Sequence, residues 1–212
     1  MTGAEIYEAR KQFFNDSAEK WIDLWYRDPE TGRQDKHAKD FERLFSLLPL
    51  KTGDSVLDAG CGTGVLVPYL LHAVGVSGTI YELDFAARMI EINRRLHRAA
   101  NIRFLAADVE NAPLERQSCD AAVCFSCFPH FSDKERAIEA LAGLLKPRGI
   151  LAIAHFASAE GINAHHKTCA AVRHDRLPEE GAMRKMIAGR GFAIEAFIDE
   201  EGFYYLQARK KT

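Results

Sequence analysis

Apolar residues near the start of the chain recur at steps of mostly three or four, at Ile6, Phe13, Phe14, Ala18, Trp21, Leu24 and Trp25. This spacing predicts one or two amphipathic helices over residues 4–26. The run Arg27-Asp28-Pro29-Glu30-Thr31-Gly32 breaks the pattern, and a further helix is expected from about residue 34 to 48, before Pro49. From Ser55 onward the pattern changes. Short β-rich runs at 55–59, 78–83, 102–106, 121–125 and 150–156 alternate with helical ones at 65–74, 86–98 and 133–145. Such alternation predicts βαβ units, hence a doubly wound α/β fold with a mostly parallel sheet covered by helices on both faces. A polar, His-rich stretch at 157–177 follows, then a helix from Pro178 to about Gly189. The tail, 192–198 and 203–209, reads as two strands of a hairpin. One domain over 1–212 is expected, made of a helical cap (1–50), a core (51–156), an insertion or lid (157–177) and a C-terminal helix and hairpin (178–212).

Composition narrows the partners. A chain of 212 residues with 47% apolar residues can bury a core without staples, and a formal charge of −2 lacks the basic footprint of a nucleic-acid or anionic-membrane binder. The five cysteines are irregularly spaced, and the first residues do not read as a signal peptide. No apolar run approaches the roughly 18 residues that span a bilayer. A cytoplasmic protein, monomeric or homodimeric, is expected.

The chemistry centres on Val56-Leu57-Asp58-Ala59-Gly60-Cys61-Gly62-Thr63-Gly64, where glycines follow a strand and lead into a helix. Without a Cβ, the backbone can take positive φ and let a ligand lie against the main chain, and the helix points free N–H groups at the same place. Asp84 ends the second strand about 20 residues on, where a carboxylate can accept from both hydroxyls of a ribose. Glu82 shares its strand face and is a rival for that role. Asp108 follows the third strand and suits an adenine amino group, or else caps the turn at 110–113. Acidic residues at successive strand ends make a constellation stronger than any member.

Four stretches then resemble the class I S-adenosylmethionine-dependent methyltransferases, in the branch acting on quinone rings and small molecules: residues 56–64, 82–89, 106–113 and 144–149. The resemblance implies a seven-stranded Rossmann-like sheet whose last strand is antiparallel, with S-adenosylmethionine as cofactor. By position, Gly60, Cys61, Gly62 and Gly64 would line its methionine and ribose portion, with Asp58 orienting the loop or the amino group. Asp84 would bind the ribose diol, Phe85 and Met89 would flank the adenine, and Asp108 with Val109 would meet its amino edge. Ser126 would offer its carbonyl to the ammonium. Arg148 departs from the family pattern at a turn, where a second glycine often stands.

The acceptor side is read from the residues. His130, after the fourth strand, has an ordinary pKa suited to a general base, although a structural histidine is the competing reading. Phe128, Trp21, Trp25, His155, His165 and His166 are candidates for a small-molecule acceptor site. The histidines match no compact metal motif, and no metal is expected. Cys124 and Cys127 match C-x-x-C in letters only, because on a strand their thiols would point to opposite faces. Methyl transfer to a small molecule by in-line displacement is the favoured activity. A nicotinamide-dependent oxidoreductase and a non-catalytic cofactor-binding regulator are the alternatives; the first conflicts with the G-x-G-x-G spacing.

Overall fold

A computed structural model of the chain describes residues 2–212. Seven strands form its sheet: β1 (Ser55–Ala59), β2 (Thr79–Asp84), β3 (Ile102–Ala106), β4 (Cys119–Phe125), β5 (Leu145–His155), β6 (Phe192–Glu200) and β7 (Phe203–Lys210). Their order is β3-β2-β1-β4-β5-β7-β6. The first five run parallel, whereas β7 is antiparallel to both of its neighbours, β5 and β6. The expected hairpin therefore inserts its second strand into the sheet and leaves β6 at the edge. The order reverses between β1 and β4, which opens a crevice at the carboxyl ends of the strands, the usual ligand position in open α/β sheets.

The two faces are covered by different helices. Val56, Ile80, Val123 and Ala152 pack under α3 (Ala38–Leu47) and α4 (Val67–Val74), through Leu44 and Leu70. Leu57, Leu83, Cys124 and Ile153 pack under α6 (Lys134–Leu144) and α8 (Glu180–Gly189), through Ile138, Leu141, Met183 and Ile187. Each such fully buried aliphatic side chain contributes about 1.5–3 kcal/mol relative to exposure. In β1 and β2 the period of two then places Asp58, Glu82 and Asp84 on one face, with Asp58 and Glu82 directly paired across the strands.

The N-terminal helices lie over the carboxyl ends of the strands. α1 (Gly3–Ser17) starts with a capping box, in which the Glu5 N–H donates to Thr2 Oγ1 at 3.3 Å and the Thr2 N–H donates to Glu5 at 2.7 Å. A short 3-10 turn leads into α2 (Trp21–Trp25). α5 (Ala87–Leu96) follows β2 and meets α1 and the turn after it.

The polar stretch at 157–177 is partly helical. It contains α7 (Ala159–Thr168), because Ser158 caps the Gly161 N–H at 3.2 Å and one face buries Ile162 and His166. That face was hidden because half of it is an imidazole rather than an apolar side chain.

Candidate active site

The loop after β1 has left-handed backbone at Gly60, φ 76°, and at Gly62, φ 54°. A Cβ on Gly60 would stand 2.5 Å from Cys127 Cβ, so the approach of β4's continuation requires glycine there. Gly64 faces away from the cavity, packed against the Asn93 amide of α5. The N–H groups of Gly60 and Cys61 both donate to the Leu83 carbonyl, at 2.7 and 3.0 Å, which ties the loop to the end of β2.

Around this loop is a cavity of about 280 Å³. It gathers Asp58, Gly60, Cys61, Gly62, Asp84, Phe85, Met89, Asp108, Val109 and Ser126 from the ends of four parallel strands. Asp84 accepts from the Gly62 N–H at 2.9 Å and the Ala86 N–H at 2.8 Å. The rival carboxylate, Glu82, is wholly buried and turned to Asn93, which donates to it at 2.6 Å, and it does not line the cavity.

The electrostatics of this cavity are acidic. Asp58 is buried with neither carboxylate oxygen partnered. Burial, reinforced by Glu82 and then Cys124 and Asp84, pushes its pKa well up. Burial likewise raises Glu82, and it lifts Asp84 to about 6 against the backbone hydrogen bonds that oppose it. Such a cluster favours a cation, because a positive group nearby stabilises the ionised carboxylates. The charge and the glycine cradle therefore fit a ligand bearing an ammonium, a sulfonium and a ribose. They do not fit a dinucleotide pyrophosphate laid on the same loop.

A second cavity, of about 330 Å³, adjoins the first. The two share Phe14, Trp21, Tyr26, Phe125, Ser126 and His130. It is lined also by Trp25, His155, His165 and His166, together with His37 and Phe156. Ser126 sits at the seam in left-handed backbone, φ 53°, uncommon for a residue with a side chain and concentrated at functional sites. Burial pushes the His155 imidazole down to about 3, so it is neutral.

Three expectations are corrected by this geometry, the first being Gly64, which does not line the cavity. Phe128 lies outside both cavities, fully buried in the core against Phe131. Cys127 also turns inward into the cluster that holds Cys124, and its thiol donates to the Ala59 carbonyl at 2.8 Å. The alternation argument failed because β4 ends at Phe125 and the left-handed Ser126 turns the chain back. Both thiols are free, and the described residues contain no cluster of ligands able to hold a metal ion.

Residues 57–153 match the family model of a methyltransferase domain. Over this stretch the chain is similar to methyltransferases. Among curated relatives, it is 36% identical over 118 residues to a malonyl-[acyl-carrier protein] O-methyltransferase of Pectobacterium atrosepticum, covering 55% of this chain and 44% of that one. It is 33% identical over 110 residues to a 2-phytyl-1,4-naphtoquinone methyltransferase of Trichormus variabilis, covering 50% and 48% respectively. The chain thus spans about half the length of these relatives. A solved methyltransferase structure from Aquifex aeolicus superposes with a TM-score of 0.71 at 21% identity, covering 92% of this chain and 97% of that one, a likeness of fold.

In this chain the cap contributes residues that spacing along the sequence did not single out. Tyr7 donates its hydroxyl to Asp108 at 2.7 Å, and Arg10 forms a buried ion pair with Asp175. Asp175 in turn accepts from His130 Nδ1 at 2.7 Å. Tyr7 falls on the α1 face shared with Phe14, seven residues on, which was the available signal. Nothing local pairs Arg10 with Asp175 or Asp175 with His130, which lie 165 and 45 residues apart.

Proposed function

We propose that the protein binds S-adenosylmethionine in the cavity around the glycine loop and transfers its methyl group to a small-molecule acceptor held in the adjoining cavity. The single observation that carries this reading is the shared wall between the two cavities, with Ser126 and His130 at the seam. Displacement at a sulfonium requires donor methyl and acceptor to be aligned at near-attack distance. Two chambers meeting at one seam do that by construction.

When bound, the cofactor supplies an electrophilic methyl group. The protein's part is to bind and orient. Asp84 would hold the ribose diol, and Asp58, with its unpartnered oxygens, would answer the ammonium. Phe85 and Met89 would pack the adenine, whose amino edge would meet Asp108 and Val109. Trp21, lying above Gly62, and Phe14 would keep water from the seam. His130 would take the acceptor's proton where one must leave.

We read the whole chain as one domain acting from a single copy, since both cavities are built within it. Its free cysteines support a reducing compartment such as the cytoplasm. Among the described residues, no helix is long and apolar enough to cross a membrane.

The test is calorimetry with S-adenosylhomocysteine and with NAD, followed by a labelled-methyl screen of quinols, phenols, amines, thiols and metalloids. Binding of the first ligand alone, with label transferred to one acceptor class, is expected. Preference for NAD would overturn the reading, and binding without transfer to any acceptor would favour a regulator.

A further inference from the structure

The buried chain Arg10–Asp175–His130 joins the three parts of the molecule that the sequence keeps far apart: the cap helix α1, the stretch after α7 and the end of β4. Asp175 is 3% exposed and Arg10 5%, so the charges face one another out of water. One Asp175 oxygen takes the Arg10 guanidinium and the other takes His130 Nδ1 at 2.7 Å. Arg10 also donates to Ser132 at 3.1 Å, two residues beyond His130. The backbone around His130 is fixed as well, since the Lys134 ammonium donates to the carbonyls of Pro129 and Phe131 at 2.9 and 3.1 Å. His166 Nδ1 bonds the Asp175 carbonyl at 2.9 Å, and the Phe14 ring packs edge-on against His130.

We propose that Asp175 and Arg10 are positioning residues, which hold His130 as the Nδ1–H tautomer with Nε2 free at the seam of the two cavities, and that Arg10 makes this arrangement depend on a seated cap. This inference rests on the methyl-transfer reading above and adds to it how the base is made ready. An ionised carboxylate only accepts, so Nδ1 must donate to Asp175 and the lone pair falls to Nε2. Burial, with Arg10 and Lys134 adding to it, holds the imidazole neutral near pH 7, while the hydrogen bond to Asp175 opposes that shift. The other titratable groups around His130 are His155 on β5, itself neutral, and His166 on α7, whose own pKa is lowered by burial and in part by His130. During transfer the acceptor's X–H bond gives its proton to Nε2, and its electron pair forms the bond to the methyl carbon. The electrons of the broken carbon–sulfur bond stay on sulfur. The imidazolium so formed faces the Asp175 carboxylate.

Arg10 belongs to the same helix that places Tyr7 on Asp108 and Phe14 at the seam, so a displaced cap would leave Asp175 without its guanidinium and the ring free to turn. Chemistry would then be confined to the closed state, with water excluded.

The experiment is ¹⁵N-histidine NMR of the full chain, alone and with S-adenosylhomocysteine, with His130→Gln to assign the resonance. For the wild type the Nδ1–H pattern is expected. In Asp175→Asn, His130 should lose that pattern or titrate at least one pH unit lower, and in Arg10→Gln it should titrate higher, because a cation is removed while the carboxylate stays. The double variant, which removes both buried charges together, guards against loss of folding and should resemble Asp175→Asn. Calorimetry with S-adenosylhomocysteine separates the two ideas: no binding by the wild type would defeat the methyl-transfer reading. An Nε2–H tautomer in the wild type, or a His130 titration unmoved in Asp175→Asn and in the double variant, would overturn the relay.

Discussion

Tyr7, on the first helix, donates its hydroxyl to Asp108 at 2.7 Å, across the mouth of the cavity that the glycine loop closes from the other side. A residue of the cap thus holds the carboxylate expected to meet an adenine. Burial and then Asp108 itself raise the Tyr7 pKa, so the phenol stays protonated and the bond persists through the physiological range.

Tyr7→Phe should therefore loosen the cap. A hydrogen bond to a charged group in this half-buried place is worth about 1–1.5 kcal/mol, or roughly five- to tenfold in an opening equilibrium. Stopped-flow measurement of Trp21 fluorescence should show S-adenosylhomocysteine entering and leaving faster by about that factor, with affinity changed less. Identical rates would mean that the latch does not gate entry.

Asp84 has two duties in this geometry, holding the Gly62 and Ala86 N–H groups and facing the cavity. Asp84→Ala should weaken S-adenosylhomocysteine binding by about ten- to a hundredfold, the loss of two charge-assisted hydrogen bonds less any compensation by water. Asp84→Asn, which keeps an acceptor, should fall between. Unaltered affinity in calorimetry would reject its assignment to the ribose.

Protonation gives a prediction of defined sign. The folded-state pKa of Asp84 is raised to about 6 from an ordinary 3.8, and those of Asp58 and Glu82 are raised too. For a carboxylate whose folded pKa is raised, the folded state binds the proton more tightly. Its contribution to stability is present at low pH and lost as pH climbs through the folded pKa. Thermal melts of the free protein should show this cluster's stabilisation fading from about pH 4 to above pH 6, against a control in which Asp58→Asn removes part of it. A ligand bringing an ammonium to Asp58 should expel protons. Calorimetry near pH 6, in buffers of different ionisation enthalpy, should record their release, and uptake or no exchange would contradict the assignment.

The glycines separate folding from binding. Gly60→Ala combines left-handed backbone with a collision against Cys127 Cβ and should cost about 2–4 kcal/mol of stability. At Gly62 an added Cβ meets only the Trp21 ring, Nε1 at 3.6 Å and Cδ1 at 3.9 Å, so Gly62→Ala should cost about 1–2 kcal/mol in backbone strain while obstructing the cofactor. Chemical denaturation alongside S-adenosylhomocysteine titration distinguishes the two, and equal losses of stability would show that Cys127 can move aside.

What could be read from the sequence was what is written locally. The strands 55–59 and 102–106 fall where period and composition put them: β1 is a short apolar run buried within the sheet, and β3, at the sheet edge, is a mostly apolar run with Arg103 exposed. The cavity residues Asp58, Asp84 and Asp108 were legible because each ends or follows such a strand. Long-range pairing was not. Asp175 stood out only as the carboxylate of a histidine-rich stretch, and its contacts come from Arg10 and His130, which no spacing rule connects to it. Cys127 was misplaced for a different reason, since the period of two applies only while the strand lasts, and Ser126 ends it.

The six residues common to both cavities divide the molecule into parts with unequal freedom to vary. Any substitution at Phe14, Trp21, Tyr26, Phe125, Ser126 or His130 alters the first cavity along with the second. Ile162, His165, His166, Cys169 and Val172 touch only the second cavity and come from a single stretch of chain between β5 and α8. If the second cavity holds the acceptor as proposed, its selectivity is most readily evolved or engineered by exchanging that one segment, with Asp175 kept, on an otherwise unaltered first cavity.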